Sequence, residues 1–234
     1  CIMGKRIISQ ARGKGSFTYR VRRQAFSIRP KYPRDLSGEG IVIKMLNSAG
    51  HTAPLAKVKY EKGIFFMPAF KGMIEGQKIN FGTKEASPGN VLRLRDVPVN
   101  TPIYNIESRP GDGGIFIRSG GNSGTVTRVT ETGVFVLMPS KKEKEFHPNC
   151  RAAIGVIAGS GRLNKPIMKA GKMYHMKRAR GKLWPRTSAV KMNVVDHPFG
   201  SGRGKRIKSK VPKRNAPPGK RVGLIRARRT GHVK

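Results

Sequence analysis

Residues 55–67 read LAKVKYEKGIFFM, and this stretch indicates the fold more clearly than any other. Residues 55–60 alternate apolar and polar side chains, and residues 63–67 form a second apolar run after a short polar turn. Runs of four to six such residues separated by turns are typical of β-strands. Because residues 41–46 and 77–81 have the same character, this part of the chain is predicted to form a small β-barrel.

A second group of apolar segments follows the turn sequence SPGN at residues 87–90. These segments are residues 103–107, 114–118, 125–130, 134–138 and 152–158. The runs IFI at 115–117 and VFVL at 134–137 are predicted to supply core side chains at alternate positions. No stretch between residues 35 and 160 has a helical period longer than two turns. The chain is therefore predicted to be mainly β, with two small barrels in tandem and one short helix at residues 166–180.

Charge is distributed very unevenly along the chain. Residues 1–34 contain 10 Lys or Arg and no acid, residues 35–145 contain 15 against 11 acids, and residues 146–234 contain 24 against Asp196 alone. These blocks sum to the net charge of +37. Both arms lack periodicity and would repel themselves, so they are predicted to be extended and to order on a polyanion. Nucleic acid is the densest polyanion available, which predicts a nucleic-acid partner.

Several classes of protein do not fit the composition. Cys1 and Cys150 lack the spacing of a zinc site or a disulfide framework, and Cys150 is predicted to be a small buried residue. The longest apolar stretch, residues 152–159, is far shorter than the roughly 18 residues that span a bilayer. The N-terminal sequence has no apolar core region, so no secretory leader is predicted. Met3 is read as an ordinary translation start, with Cys1 and Ile2 outside it.

Two local features resemble ligand sites. Residues 200–205, GSGRGK, resemble a phosphate loop, but they lack the spacing of a Walker A motif and no clear strand precedes them. They are interpreted as backbone lying close to polynucleotide phosphates. Trp184 lies in a basic segment, where a tryptophan either packs in a core or stacks on a nucleic-acid base.

His197, in the sequence DHPF at residues 196–199, is open to three interpretations. Asp196 would orient its ring and raise its pKa for acid–base chemistry. Alternatively, the imidazole would donate a hydrogen bond to RNA, or Asp196 would cap its own backbone in a local turn. The other histidines have no clustered acids or cysteines, so no metal site is predicted. They are His51, His147, His175 and His232.

Seven motifs spread over the chain occur together. They are GKRII at residues 4–8, RPGDGG at 109–114, NCRA at 149–152, KPIMKAGK at 165–172, MNVVDHPFGSG at 192–202, APPGKRVGLI at 216–225 and ARRTG at 227–231. As a set they resemble the universal ribosomal protein L-two family, a large-subunit component, in its archaeal and eukaryotic branch. Two positions depart from the family pattern. Ser201 stands where glycine is usual, and the loop at residues 120–124 lacks an aromatic residue near Ser123.

The resemblance implies an oligonucleotide-binding-fold barrel followed by an SH3-like barrel. The implied divisions are a basic N-terminal arm at residues 1–34, the first barrel at 35–88, the second barrel at 89–163 and a basic extension into rRNA at 164–234. It also implies a cytoplasmic, structural, non-enzymatic protein of the large ribosomal subunit. Such a protein binds large-subunit rRNA, supports subunit association and lies near the peptidyl transferase centre.

The partners implied are large-subunit rRNA, neighbouring large-subunit proteins and the small subunit through an intersubunit bridge. No membrane, small-molecule substrate or cofactor is implied, apart from Mg²⁺ held by the surrounding rRNA. From the residues and the resemblance together, the RNA-binding residues are predicted to be Arg12, Lys14, Arg20, Arg22, Arg23, Arg109, Arg118, Arg128, Arg151, Lys177, Arg178, Arg180, Lys182, Trp184, Arg186, Asn193, His197, Pro198, Phe199, Gly200, Gly202, Arg203, Lys205, Arg206, Arg214, Lys220, Arg221, Arg226, Arg228 and Arg229.

Two rival classes of function are distinguishable by sequence. An RNA-modifying or peptidyl-transfer enzyme acting through His197 needs a pocket of convergent polar groups, and the sequence offers one histidine on an irregular tail. A free nucleic-acid chaperone or membrane-surface polycation needs a basic amphipathic helix, which the sequence does not predict.

Overall fold

The computed structural model describes residues 4–83, 85–201 and 215–223. These residues form two compact units. One unit is residues 22–180, which contain all ten strands found in the described chain. The other unit combines residues 4–21 with residues 181–201 and 215–223, where short helical turns and irregular backbone predominate.

The strands of the first unit belong to one sheet. They are β1 Gly38–Leu46, β2 Leu55–Tyr60, β3 Gly63–Pro68, β4 Lys78–Phe81, β5 Val91–Arg93, β6 Pro102–Tyr104, β7 Gly124–Val129, β8 Val134–Leu137, β9 Glu143–Phe146 and β10 Arg151–Ile154. Their order is β3-β2-β1-β4-β5-β10-β6-β7-β8-β9. Every neighbouring pair is antiparallel except β4 and β5, which are parallel and joined through Phe81 and Val91. The predicted mainly β class is confirmed, whereas the two barrel types and the domain boundaries stay predictions.

Two hydrophobic clusters lie on the two sides of this β4–β5 joint. The first contains side chains of β1 to β4, and the second contains side chains of β7 to β9. The strands between them serve both clusters, because Val91 packs in the first cluster and Leu92 in the second. In β6, Tyr104 packs in the first cluster and Ile103 in the second. Strands buried on both faces need no polar alternation, which explains their continuous apolar sequence.

Close packing of β1 against its neighbours depends on a glycine. A Cβ atom at Gly40 would lie 2.7 Å from the ring of Phe81 and 3.0 Å from Val58. Val42, two residues further on, is fully buried in the same cluster. Gly40 thus lets the rings of the first cluster approach the β1 backbone.

Two α-helices are present among the described residues, α1 Ile8–Gly13 and α2 Ala170–Ala179. Helix α2 lies within the helix predicted at residues 166–180 and begins four residues later. Helix α1 corrects the prediction that the N-terminal arm has no helix. It is only six residues long and buries no side chain, so it has no apolar stripe to reveal it. The side chain of Gln10 caps it by accepting the Ile7 amide at 3.3 Å.

The strand predicted at residues 114–118 is wrong. Only an isolated bridge between Ile106 and Phe116 forms there, and Ile115 is 55% exposed rather than in the core. Gly114 and Ile117 both have positive φ, +91° and +53°, and this backbone conformation breaks an extended strand. Strand β10 also ends at Ile154 instead of residue 158, because Gly155 has a φ of +118°.

Two strands were not predicted. Strand β9 reads EKEF, and three of its four residues are exposed, so its sequence carries no apolar pattern. Strand β5 has only three residues, VLR, which is too short for a periodic signal. Both are recognisable only through the strands beside them, β8 for β9 and β10 for β5.

Candidate nucleic-acid interface

The loop at residues 107–114, ESRPGDGG, is held by two of its own carboxylates. Asp112 accepts the amides of Ser108 at 2.8 Å, Arg109 at 3.0 Å and Gly114 at 3.1 Å. Glu107 accepts the amide of Gly113 at 3.0 Å. The loop is therefore pre-organised by its backbone bonds, and it leaves the Arg109 side chain exposed for a phosphate contact.

Glu107 also forms a buried ion pair with Arg151. The carboxylate is 0% exposed and the guanidinium 14%, and Arg151 Nη2 lies 2.6 Å from Glu107 Oε1. Arg151 Nη1 donates to the carbonyls of Pro33 at 2.7 Å and Arg34 at 3.2 Å. The pair thus connects β10, the loop and the segment before β1. The predicted RNA contact of Arg151 stays a prediction, and the partners that the structure gives this side chain are protein groups.

A second predicted residue, Arg118, is also held by protein groups. It donates to the Pro30 carbonyl at 2.9 Å and to the Gly114 carbonyl at 3.3 Å. It lines a cavity of about 570 Å³ with the exposed ring of Phe26 and with His51. Its fixed guanidinium places a positive charge at this opening without the entropy cost of ordering it on binding.

His51 of the same cavity is fixed and electrostatically unfavourable to protonate. Its Nδ1 is hydrogen-bonded to Ser48 Oγ at 2.8 Å, and its ring meets Phe26 edge-on at 5.1 Å. Burial, followed by the charges of Arg118 and Arg180, lowers the pKa of His51 below its usual 6.5. The imidazole is therefore neutral near pH 7 and contributes a ring surface rather than a charge.

Most of the predicted basic residues that the structure describes are exposed. The exposed ones are Arg12, Lys14, Arg20, Arg22, Arg23, Arg109, Arg128, Arg178, Lys182, Arg186, Lys220 and Arg221. Helix α2 carries Lys177 and Arg178 in its last turn and buries none of its residues. Arg128 lies over the Phe135 ring at 3.8 Å, so its planar group is already held in an orientation suited to stacking.

One exposed aromatic residue of the N-terminal arm was not among the predicted contacts. The Phe17 side chain is 92% exposed, and the Arg20 guanidinium lies 5.5 Å from its ring centre. An exposed phenylalanine costs solvation free energy unless it packs on something, and nucleic-acid bases stack on such rings. Its position between basic residues in the sequence was the signal that could have identified it.

His197 occupies a tight turn in the second unit. Its Nδ1 accepts the amide of Phe199 at 3.0 Å, and its own amide donates to the Asn193 carbonyl at 3.2 Å. Asp196 forms an ion pair with Lys5 at 3.6 Å and has no hydrogen bond to the imidazole within the described residues. The pKa of His197 is lowered by burial, so the expectation that Asp196 raises it is wrong.

This geometry separates the three interpretations of His197. With Nδ1 accepting from the backbone, the proton of the neutral ring lies on Nε2, which is free to donate. The local-turn interpretation is right about the turn, but the histidine rather than Asp196 accepts the backbone amide. A donor at Nε2 suits an acceptor on RNA, whereas a general base would need that nitrogen unprotonated.

The remaining predicted contacts divide between described and undescribed residues. Trp184 is half-buried and belongs to neither hydrophobic cluster, while Asn193 and Pro198 are exposed. Phe199 packs its ring 5.2 Å from that of His197, beside Gly200. Outside the described residues lie Gly202, Arg203, Lys205, Arg206, Arg214, Arg226, Arg228 and Arg229, and with them most of the phosphate-loop-like sequence.

Chemistry other than polyanion binding has little support in the described residues. They contain no group of three or more His, Cys, Asp or Glu side chains that could hold a metal ion. Burial raises the pKa of the Cys150 thiol to about 11, so this cysteine is an unreactive core residue as predicted. None of the helices described is long and apolar enough to cross a membrane.

Comparisons with known proteins agree with the motif set. Residues 87–218 match the family described as "Ribosomal Proteins L2, C-terminal domain". The large ribosomal subunit protein uL2 of Archaeoglobus fulgidus is 46% identical over 234 residues, which covers 98% of this chain and 99% of that protein. The protein of the same name from Methanococcoides burtonii is 46% identical over 235 residues, with the same coverage. The chain therefore belongs to the ribosomal protein L2 family, in its archaeal branch.

Proposed function

We propose that this chain is a structural protein of the large ribosomal subunit that binds large-subunit rRNA. The observation that carries the proposal is full-length identity of 46% to archaeal proteins named for that subunit. It accounts for the net charge of +37, which a free protein would bear only at the cost of strong self-repulsion. As a member of this family the chain is a structural component rather than an enzyme.

The exposed cations bind RNA mainly through its phosphates. Their side chains lie on both units and are not gathered on one recognition helix that could enter a groove. Contacts to phosphate and sugar therefore predominate over contacts to base edges. Arginine is suited to this role because its planar group binds phosphate through two hydrogen bonds and stacks on bases. The RNA is recognised by its folded shape, as is usual for structured RNA.

Finer parts of the role follow from the same assignment. The chain contacts neighbouring large-subunit proteins and takes part in a bridge to the small subunit. The turn at His197 supports the RNA around the peptidyl transferase centre through its Nε2 donor. Mg²⁺ ions held by rRNA phosphates supply further counter-charge where the carboxylates of the chain are exposed.

Sedimentation of cell extract tests the main proposal. The tagged full-length chain should migrate with the large subunit at low salt and remain there after a high-salt wash, because the extension into rRNA would hold it by packing as well as by phosphate contacts, which salt weakens. A chain that stays in the soluble fraction, or leaves the subunit at moderate salt, would identify a free polycation and refute the assignment.

A His197→Ala variant tests the structural role of that residue, with His175→Ala as its matched control. His175 is an exposed histidine on α2. If His197 only supports RNA, subunits assembled with either variant should transfer peptide at near-normal rates. A loss of several orders of magnitude for His197→Ala alone would indicate acid–base catalysis instead.

A further inference from the structure

A cleft of about 700 Å³ lies beside the joint between β4 and β5. Its buried lining is apolar and includes Phe81, Val91 and Leu92. Its exposed lining includes Arg34 from the segment before β1 and Arg93 from β5. The volume lies within the range of roughly 300–1,000 Å³ that small-molecule sites occupy, so it is larger than a single inorganic anion needs.

The charges lining the cleft are unbalanced. Four arginines line it, Arg34, Arg93, Arg95 and Arg151, against a single acid, Asp96. Arg151 is neutralised by Glu107, and Arg95 lies 3.7 Å from Asp96. Within the part of the chain that the structure describes, the guanidinium groups of Arg34 and Arg93 have neither an ion pair nor a hydrogen bond. Two positive charges therefore remain for a ligand.

The strand register places Arg93 beside a guanidinium group that already has its counter-ion. Arg93 of β5 is directly opposite Arg151 of β10 in an antiparallel pair. Side chains in such positions lie on the same face with their Cβ atoms about 5 Å apart. The carboxylate of Glu107 already accepts bonds from Arg151 and from loop amides, so it is not available to Arg93. An anion bound in the cleft would supply the counter-charge that Arg93 lacks.

Neutral donors complete the lining. The Ser37 hydroxyl and the Asn149 side-chain amide border the cleft and have no hydrogen-bond partner among the described residues. A ligand with both phosphates and hydroxyl groups would use the arginines and these donors together. The partly exposed side chain of Leu36, which also lines the cleft, offers an apolar surface for a ribose or base ring.

We propose that this cleft binds the sugar–phosphate backbone of RNA, with Arg34 and Arg93 contacting phosphates. The inference rests on the proposed function and adds a specific RNA-binding site to it. None of the three exposed arginines of the cleft was among the residues predicted from sequence. Their positions at 34, 93 and 95 become one site only through the β5–β10 pairing and the bonds from Arg151 to the segment at residues 33–34.

The experiment compares two double variants of the full chain that lose equal charge. Arg34→Ala/Arg93→Ala removes the two unpaired cations of the cleft, and Lys62→Ala/Lys142→Ala removes two exposed lysines outside it. Neither pair forms side-chain bonds in the described structure, so both variants should fold, as circular dichroism and thermal melting would verify. Binding to a transcript of an archaeal large-subunit rRNA is then measured over a range of salt concentrations.

The cleft variant should bind at least tenfold more weakly than wild type, and the control less than threefold. Loss of two phosphate contacts should also reduce the slope of log affinity against log salt by roughly 1.5, since each contact contributes about 0.7–0.9. Equal losses of affinity in both variants, or no loss in either while wild type binds, would overturn the RNA-binding site in the cleft but not the proposed function. Failure of wild type to bind the transcript would overturn the proposed function as well.

A photo-crosslinking residue provides a second readout that does not depend on affinity. Placed at Ser37, it should crosslink the transcript, whereas the same residue at Lys62 should not. A crosslink of equal yield from Ser37 and from Lys62 would show non-specific proximity of the RNA, and the assignment to the cleft would be wrong. Absence of the crosslink in a complex that binds normally would also refute it.

Discussion

At the scale of single residues, Glu107 is the one whose role was least visible in the sequence. It pairs with Arg151, 44 positions away, and no local pattern announces a contact at that separation. The motif at residues 109–114 was recognised as part of the family resemblance, with Arg109 as a predicted RNA contact. The structure gives the adjoining loop a folding role, because Glu107 and Asp112 bind its amides. The sequence shows where the cations lie along the chain but not which protein groups they contact.

Replacement of Glu107 by glutamine should lower the free energy of unfolding by about 3 kcal/mol. The change leaves the Arg151 charge buried without its counter-ion, which typically costs about 3–5 kcal/mol, and the new amide keeps part of the hydrogen bonding. Glu61→Gln, at an exposed turn, should change stability by less than about 0.5 kcal/mol. Urea denaturation would measure both variants, and similar values for the two would contradict the structural role given to the pair.

His51 should make the stability of the first unit depend on pH below about 6.5. Its folded pKa is lowered by burial and by Arg118 and Arg180, so the unfolded chain takes up the proton first as pH falls. As pH falls from the ordinary pKa of histidine towards the lower pKa of folded His51, the free energy of unfolding therefore decreases.

His51→Gln keeps a polar partner for Ser48 but cannot titrate. Melting curves between pH 7.5 and 4.5 should show a smaller loss of stability for this variant than for wild type, most clearly near pH 6. The lowered pKa of His197 affects both proteins equally, so the difference between the curves isolates His51. Parallel curves would show that the electrostatic setting of His51 has no effect on folding.

At the scale of elements, the sequence predicted strands correctly where alternating or apolar runs are bounded by turn residues. It predicted them incorrectly where a glycine with positive φ sets the direction of the backbone. The β2–β3 hairpin was located within one residue because an alternating segment is followed by a short polar turn and a second apolar run. Residues 114–118, GIFIR, resemble the start of β3, GIFFM, yet the left-handed conformation of Gly114 turns the chain away from a strand. Strand β9 was missed for the opposite reason, since an exposed edge strand needs no apolar residues.

The glycine loop offers a test with a matched control. Gly111 and Gly114 have nearly the same φ, +84° and +91°, so alanine is strained by about 1–2 kcal/mol at either position. They differ in the free space around an added Cβ atom. An added Cβ at Gly114 would lie 2.6 Å from Asn105 Oδ1 and 2.8 Å from the Asn105 carbonyl oxygen, whereas Gly111 has nothing within 4 Å.

Gly114→Ala should therefore destabilise the protein by about 2 kcal/mol more than Gly111→Ala, because the fully buried Asn105 backbone cannot move away. Denaturant titrations of the two variants, with equal slopes required for the comparison, would give this difference. Equal destabilisation would mean that backbone strain alone explains the glycines, and that the packing of Asn105 against the loop is loose.

At the scale of the whole molecule, the hydrophobic clusters and the excess charge occupy different parts of the chain. Both clusters lie within residues 32–157, and residues 181–234 contain 16 Lys or Arg against Asp196 alone. Within the described part of those residues no side chain is fully buried. Stability and RNA binding should therefore be separable by truncation. Individual Arg→Ala changes in the extension should each have small effects, because its charge is divided among many contacts.

Deletion of residues 181–234 should leave the first unit folded but prevent stable incorporation into the large subunit. The melting temperature should change by only a few degrees, since no residue of either cluster is removed. The net charge falls by 15, from +37 to +22, and the corresponding phosphate contacts are lost. In cells that express both forms, sedimentation after a high-salt wash should recover the full chain in large subunits and the truncated chain in the soluble fraction. Truncated protein that remains in subunits translating at full rate would show that the extension is dispensable. In that case the arginines of the first unit, including those of the cleft, would be sufficient for binding.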